Sequence, residues 1–238
     1  MSDIVEIILW TSLAGLAMPF GALIARFEHI QPRWLEEELR HAVIAFGGGV
    51  LLCAVALVLV PEGVRGLSPF LVIVAMMSGG GVFLFLDEFL NRHKTPASQL
   101  VAMLSDFIPE AMALGATFAA ERSIGLLLAL LIASQNLPEG FNSYRELVAG
   151  GRISKAKIII GFLLLAVAGP LAGIAGWLFL SSHPDALHFI MLFAAGGILY
   201  LMFQDIAPQA KLERRWAPAL GAVAGFLFGL IGQMLIVG

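Results

Sequence analysis

Three carboxylates lie inside long apolar stretches of the chain, where charged side chains are rare. Asp106 and Glu110 are four residues apart, and so are Gln135 and Glu139. In a helix, this spacing places the members of each pair on one face. A charge at the centre of a bilayer costs about 3 kcal/mol even on the most lenient scale, and no Lys or Arg lies at this depth. These acids therefore need compensation by protons or by a bound cation.

A proline precedes each of the two glutamates, Pro109 in one stretch and Pro138 in the other. A proline cannot donate a hydrogen bond to the carbonyl four residues back, which kinks the helix. The carbonyls freed in this way belong to Ser105 and Ser134. Two such antiparallel helices would enclose an oxygen-rich cage, and cages of this kind bind divalent cations. The alternative is a protonated, hydrogen-bonded cluster that only holds the two helices together.

The composition identifies the setting of these residues. Of 238 residues, 59% are hydrophobic and only 13% are charged, with a mean hydropathy of +0.92. A soluble fold could not cover so much apolar surface with so few charges. The net charge of −3 and the pI near 5.9 exclude a nucleic-acid binder, and the single cysteine, Cys53, excludes an intrachain disulfide. The class predicted is an all-α polytopic membrane protein.

Eight segments are long and apolar enough to cross a bilayer, which takes about 20 residues. They cover 4–25, 41–61, 69–90, 98–120, 124–144, 157–180, 187–208 and 217–237. We expect them to form one transmembrane domain over residues 1–238. Twelve of the fourteen Lys and Arg lie in the odd-numbered loops, and only Arg65 and Arg122 lie in the even ones. The positive-inside rule then makes the odd loops cytoplasmic and puts both termini outside, in a multi-pass protein of a plasma or bacterial inner membrane.

The chain carries signs of an internal repeat. Four tetrapeptides share a Pro followed by Glu or Gln, and they begin at Val60, Ile108, Leu137 and Ala207. Phe46 precedes Pro61 by the same 15 positions by which Phe193 precedes Pro208. The matched spans run in opposite directions, as in transporters built from inverted repeats. The alternative is that small residues and prolines recur in membrane helices for packing reasons alone.

Taken together, these residues resemble the ZIP (Zrt/Irt-like) family of metal transporters. Residues 135–140 read Gln-Asn-Leu-Pro-Glu-Gly, which matches the family's His-Asn-x-Pro-Glu-Gly motif at every position but the first. Residues 106–111 match the corresponding motif at Pro109 and Glu110, and residues 203–208 resemble the family's ending of span seven. The resemblance implies eight spans, both termini outside, and metal ligands on spans four and five.

Carried over residue by residue, the resemblance implies one metal held by Asp106, Glu110, Gln135 and Glu139, with Asn136 adjacent. Asp106 and Gln135 replace the family's histidines. Phe107 replaces an asparagine that helps to hold a second metal in binuclear members, so a second ion is not expected. An all-oxygen site suits Mn²⁺, Fe²⁺ or even Mg²⁺ and Ca²⁺ better than Zn²⁺, but Zn²⁺ accepts carboxylates and the family resemblance keeps it in play.

The function expected is therefore that of a secondary transporter that moves a divalent metal cation, with Zn²⁺, Mn²⁺ and Fe²⁺ the leading candidates, towards the cytoplasm. Ser105, Ser134 and Asp205 are candidate pathway residues. The alternatives are a proton-coupled carrier of a small organic solute and a transport-inactive metal sensor. No nucleophile–base pair indicates an enzyme. The expected partners are the metal and the lipid bilayer, a homodimer is left open, and nucleic acid is excluded.

Overall fold

The computed structural model describes residues 3–28, 33–93, 96–211 and 216–238, and it contains eight long helices. They are α1 Asp3–Phe27, α2 Arg33–Ala54, α3 Pro69–His93, α4 Pro96–Ala120, α5 Arg122–Ala149, α6 Lys155–Leu180, α7 Pro184–Leu201 and α8 Ala217–Ile236. All eight are long and apolar enough to cross a membrane, and the described residues include no strand. The predicted all-α class with eight spans is confirmed, whereas the side on which the termini lie stays a prediction.

Two helices continue through a short π-helical segment. In α2 the π segment Val55–Leu59 leads into a last α-helical turn, Val60–Gly63. In α7 the π segment Met202–Ile206 leads into the turn Ala207–Ala210. Each π segment ends two residues before a proline, and a proline's missing N–H and its ring disturb the preceding turn of the helix.

Helix α2 begins earlier than the sequence predicts. The predicted apolar span begins at residue 41, whereas the helix starts at Arg33. Its added first turns carry Glu36, Glu37 and Glu38 followed by Arg40, a polar stretch that a hydropathy criterion rejects. Arg145 of α5 donates to the carboxylates of Glu28 and Glu36. These ion pairs tie the start of α2 to the end of α5 and support a helix beyond the apolar span.

The eight helices form two groups of four. One group contains α1, α4, α5 and α6, in which α1 packs on α5 and α6, and α4 packs on α5 and α6. The other contains α2, α3, α7 and α8, in which α2 packs on α8 and α3 packs on α7. The groups meet mainly where α2 packs on α5 and α4 packs on α7. The predicted site residues of α4 and α5 are therefore placed where the two groups meet.

One glycine motif builds all four of the closest pairs of parallel helices. Each helix of a pair contributes one glycine, and a methyl group added to that glycine would overlap a backbone carbonyl oxygen of the other helix. The residue that carries this oxygen lies three positions before the glycine of its own helix. The pairs are Gly21 with Gly140, Gly49 with Gly225, Gly79 with Gly196 and Gly115 with Gly176. Small residues let membrane helices approach this closely, and Cα–H groups then meet carbonyl oxygens.

These contacts confirm an inverted repeat and fix its register. Gly49 of α2 and Gly196 of α7 are equivalent at an offset of 147 residues, which is also the offset between Phe46 and Phe193 and between the two π segments. The same logic makes α1 equivalent to α6, α3 to α8 and α4 to α5. In the last pair, Gly115 corresponds to Gly140, so that Glu110 corresponds to Gln135 rather than to Glu139. The two Pro-Glu motifs are thus displaced by one helical turn.

Candidate functional site

The predicted polar residues of α4 and α5 meet where these two antiparallel helices face each other. The Nε2 atom of Gln135 donates to both carboxylate oxygens of Glu110, at 2.7 Å each. Because the helices are antiparallel, Asp106 and Glu139 lie one turn further along, also facing each other. Both Asp106 and Glu110 lie close enough to Glu139 for their charges to interact with it. The structure therefore brings all four predicted side chains together.

The four side chains form two layers with different access to solvent. Glu110 and Gln135 make the closed layer, with 1% and 4% of their surface exposed. Asp106 and Glu139 make the open layer, and both line a cavity of about 390 Å³ that also reaches Gln135. The cavity runs between α2, α3, α4, α5 and α7 towards the end of the bundle that carries most of the basic residues. Glu110 is thus sealed behind the layer that the cavity reaches.

The cavity is acidic along its whole length. Its lining includes five carboxylates, those of Asp87, Asp106, Glu139, Glu146 and Asp205, and the described lining residues include no Lys, Arg or His. Partial compensation comes from Arg40, which lies 3.6 Å from Glu146 at the rim. A low-dielectric cleft lined by one sign of charge concentrates counter-ions. The arrangement therefore attracts cations towards Glu139 and Asp106.

The oxygen atoms of the two layers do not yet form a coordination sphere. Within the described residues, no group of three or more His, Cys, Asp or Glu side chains is arranged to hold a metal ion. The Gln135 amide donates its N–H to the Glu110 carboxylate. The amide oxygen of Gln135, Oε1, is buried without a hydrogen-bond partner. Rotating this amide exchanges donor for acceptor and turns Oε1 towards the carboxylate. A cation between Glu110 and Gln135 would satisfy both oxygens, which is the ligand chemistry that hard divalent ions prefer.

Asn136, which is predicted to lie beside the metal, points elsewhere, and so does Phe107, for which no metal contact is predicted. Asn136 is 1% exposed and donates from Nδ2 to the carbonyl of Ala14 on α1 at 2.9 Å. It follows Gln135 by 100° around the helix, so it fastens α5 to α1 and does not line the cavity. The ring of Phe107 is buried against Gly15 of α1 and Gly169 of α6. An apolar ring therefore occupies the junction of α1, α4 and α6.

The predicted pathway residues are separated by the structure. Asp205 lines the cavity. Ser105 and Ser134 donate to carbonyls of their own helices, Val101 and Leu130, at 2.7 Å each. Ser134 lines a different, apolar groove between α1 and α5, and Ser105 is not among the lining residues of the acidic cavity.

The sequence reasoning missed several residues that line the cavity. Asn142 is 9% exposed, donates from Nδ2 to the Pro138 carbonyl at 2.9 Å and keeps its Oδ1 buried without a hydrogen-bond partner. Asp87 accepts from Tyr200 at 3.0 Å and from Asn91 at 2.8 Å. Gln135, Glu139, Asn142 and Glu146 follow one another at intervals of four, three and four residues, which is the period of one helix face. This helical period is the feature of the sequence from which Asn142 and Glu146 could have been predicted to line the cavity.

Comparison with known proteins places the chain near metal transporters. No protein-family model matches it. It is 25% identical over 222 residues to an Arabidopsis thaliana protein named as a putative zinc transporter, which covers 86% of this chain and 34% of that protein. It is 26% identical over 145 residues to zinc transporter SLC39A7 of Homo sapiens and of Pongo abelii, covering 58% of this chain and 30% of each relative. The chain thus spans about a third of the length of the curated relatives it matches.

These similarities are weak, and they relate the chain to proteins that carry the name of zinc transporters. Together with the eight helices, they support a multi-pass membrane protein.

Proposed function

We propose that the chain transports a divalent metal cation, with zinc as the first cargo to test. One observation carries the proposal: a layered set of three carboxylates and an amide lies at the closed end of an acidic cavity, between two helices that each contain a proline. Zinc is chosen as the first cargo because the relatives are named as zinc transporters. Mn²⁺ and Fe²⁺ rest only on the all-oxygen character of the side chains.

The proposed transport site is a single position on α4 and α5. Asp106, Glu110, Gln135 and Glu139 supply its ligands, and each carboxylate contributes a negative charge as well as an oxygen. Phe107 fills the neighbouring junction of α1, α4 and α6 with an apolar ring, which leaves no ligand for a second ion there. The site therefore takes one ion at a time.

The layered arrangement gives a physical order of events. The acidic cavity opens towards the end of the bundle that is predicted to be cytoplasmic. A cation that moves towards the cytoplasm therefore reaches the site from the other side and leaves past the carboxylates of Asp106 and Glu139. Binding to Glu110 requires the Gln135 amide to rotate, and the cation then replaces water with protein oxygens. The group of α1, α4, α5 and α6 moves against the other four helices to open the site first to the outside and then to the cavity. The direction towards the cytoplasm is the one that the resemblance to the ZIP family implies.

Uptake by reconstituted vesicles tests the proposal. We expect Glu110→Gln and Glu139→Gln each to abolish uptake of radioactive zinc, because each change removes a charge and a ligand while keeping the shape of the side chain. Glu88→Gln is the matched control, since Glu88 is exposed and pairs with Arg92 in the neighbouring turn. Uptake at the unaltered rate by both site variants would refute the assignment, provided that the control variant behaves in the same way.

A further inference from the structure

A second cavity lies on the outer surface of the bundle and shares part of its wall with the acidic one. It is a groove of about 690 Å³ between α2, α7 and α8. Fifteen of its sixteen lining residues are apolar, and the exception is Lys211 at one end. Leu52, Val223 and Leu227 in its walls are 41%, 62% and 49% exposed. In a membrane, exposed apolar walls of this kind face lipid.

The dimensions of the groove match one leaflet of a bilayer. Along α8 its lining runs from Pro218 to Leu230, which is about 18 Å at 1.5 Å per residue. One leaflet contributes roughly 15 Å of hydrocarbon. Lys211 lies at the same end as Pro218, and Leu230 lies at the other end, near the middle of the membrane. The groove therefore spans the depth of one acyl chain.

The inverted repeat supplies an internal comparison for the width of the groove. Ala219 and Ala222 of α8 correspond to Ile73 and Met76 of α3, and Ala207 of α7 corresponds to Val60 of α2. Near the charged end, small side chains thus stand where the other repeat has larger ones. Lys211 itself corresponds to Val64. In this repeat, the small side chains and the positive charge of Lys211 occur together.

We propose that this groove binds one acyl chain of an anionic phospholipid, whose headgroup pairs with Lys211. Lys211 lies at the end of the bundle that carries twelve of the fourteen basic residues. That end faces the leaflet whose anionic surface attracts Lys and Arg. The charge at the mouth, the apolar walls and the length of one leaflet select a lipid over a free anion, which would have no use for the apolar walls.

The bound chain would touch the wall of the acidic cavity. Gly48 and Ile206 line the groove on one side and the acidic cavity on the other. The methyl group of Ile206 fills the space beside Gly48, so a single layer of atoms separates lipid from the cation pathway. Ile206 also ends the π segment of α7. An acyl chain in the groove therefore supports the thin wall that Gly48 and Ile206 form between the groove and the acidic cavity.

Native mass spectrometry of the full chain in detergent tests this proposal. Phosphatidylglycerol and phosphatidylcholine with identical acyl chains are titrated into delipidated protein. We expect one tightly held phosphatidylglycerol per chain, bound at least about fivefold more tightly than phosphatidylcholine, as one basic residue near an anionic surface provides. Lys211→Glu should remove this preference, and Lys157→Glu, at an exposed lysine outside the groove, should leave it unchanged.

A second variant tests the apolar part of the site. Ala219→Ile combined with Ala222→Met copies the other repeat into the groove, and we expect it to weaken binding of both lipids. Equal binding of the two lipids to the unaltered chain would overturn the proposal, as would full retention of phosphatidylglycerol by Lys211→Glu. Efficient disulfide formation between two copies carrying Val223→Cys, in native membranes, would show that a second copy covers the groove and would also overturn it.

Discussion

Among the described residues, Gln135 donates hydrogen bonds to the carboxylate of Glu110, which is almost completely buried. The change Gln135→Leu removes these bonds and therefore tests the site directly. Both oxygens of Glu110 accept from Nε2 at 2.7 Å, and Glu110 is 1% exposed. A hydrogen bond to a charged group contributes about 1.5–3 kcal/mol. Leucine has a similar volume but no donor, so the ionised carboxylate loses that stabilisation and retains a proton more readily.

The expected consequence is weaker and more pH-dependent metal binding. At neutral pH the apparent zinc affinity should fall by about 10- to 100-fold, the usual cost of removing a side chain that supports a metal site, because leucine provides no oxygen in place of the amide. Because a proton must now leave Glu110 before the metal binds, affinity should rise with pH more steeply than in the unaltered chain.

Calorimetric titration of zinc at pH 6.5 and pH 8, in two buffers of different ionisation enthalpy, measures both quantities. The variant should release more protons per metal bound than the unaltered chain. Gln209→Leu is the matched control, because Gln209 is an exposed amide at the mouth of the same cavity. An affinity and a proton release that match the unaltered chain at both pH values would show that Gln135 and Glu110 do not hold the metal.

Three further predictions concern stoichiometry, selectivity and packing. Crystals soaked with zinc should give one anomalous peak per chain between α4 and α5, and two peaks within about 4 Å would contradict the single site. Asp106→His combined with Gln135→His should shift competition between Mn²⁺ and Zn²⁺ towards Zn²⁺, since imidazole is the softer ligand; an unchanged ratio would mean that neither position touches the metal. Gly140→Ala should destabilise the protein by about 1–3 kcal/mol in thermal unfolding, because the new methyl group meets the Met18 carbonyl. Gly81→Ala has open space around it and should not, so equal melting of the two variants would refute the packing argument.

The central residues of the site could be predicted from the sequence because burial in a membrane makes polar residues conspicuous. Asp106, Glu110, Gln135 and Glu139 interrupt apolar stretches at helical spacing, and the structure brings these four side chains together. Their role in metal transport remains a prediction.

Other features depend on tertiary packing that single residues do not encode. The height of α4 relative to α5 is set by glycine contacts with α1 and α6, so the sequence could not show that the two Pro-Glu motifs are displaced. Asn136 belongs to the recognised motif, but its face is turned towards α1. Asn142 lies two residues before the predicted end of its span, where an amide is common, so its position in the sequence does not single it out.

The paired π segments carry information about descent. A π segment adds one residue to a helix without adding a turn, and such an insertion is usually costly enough to be removed unless something depends on it. Here it occurs at the same position in α2 and α7, two residues before a proline in each. The simplest history places the extra residue in an ancestral unit before gene duplication produced the two halves. The bulge would then predate the duplication itself.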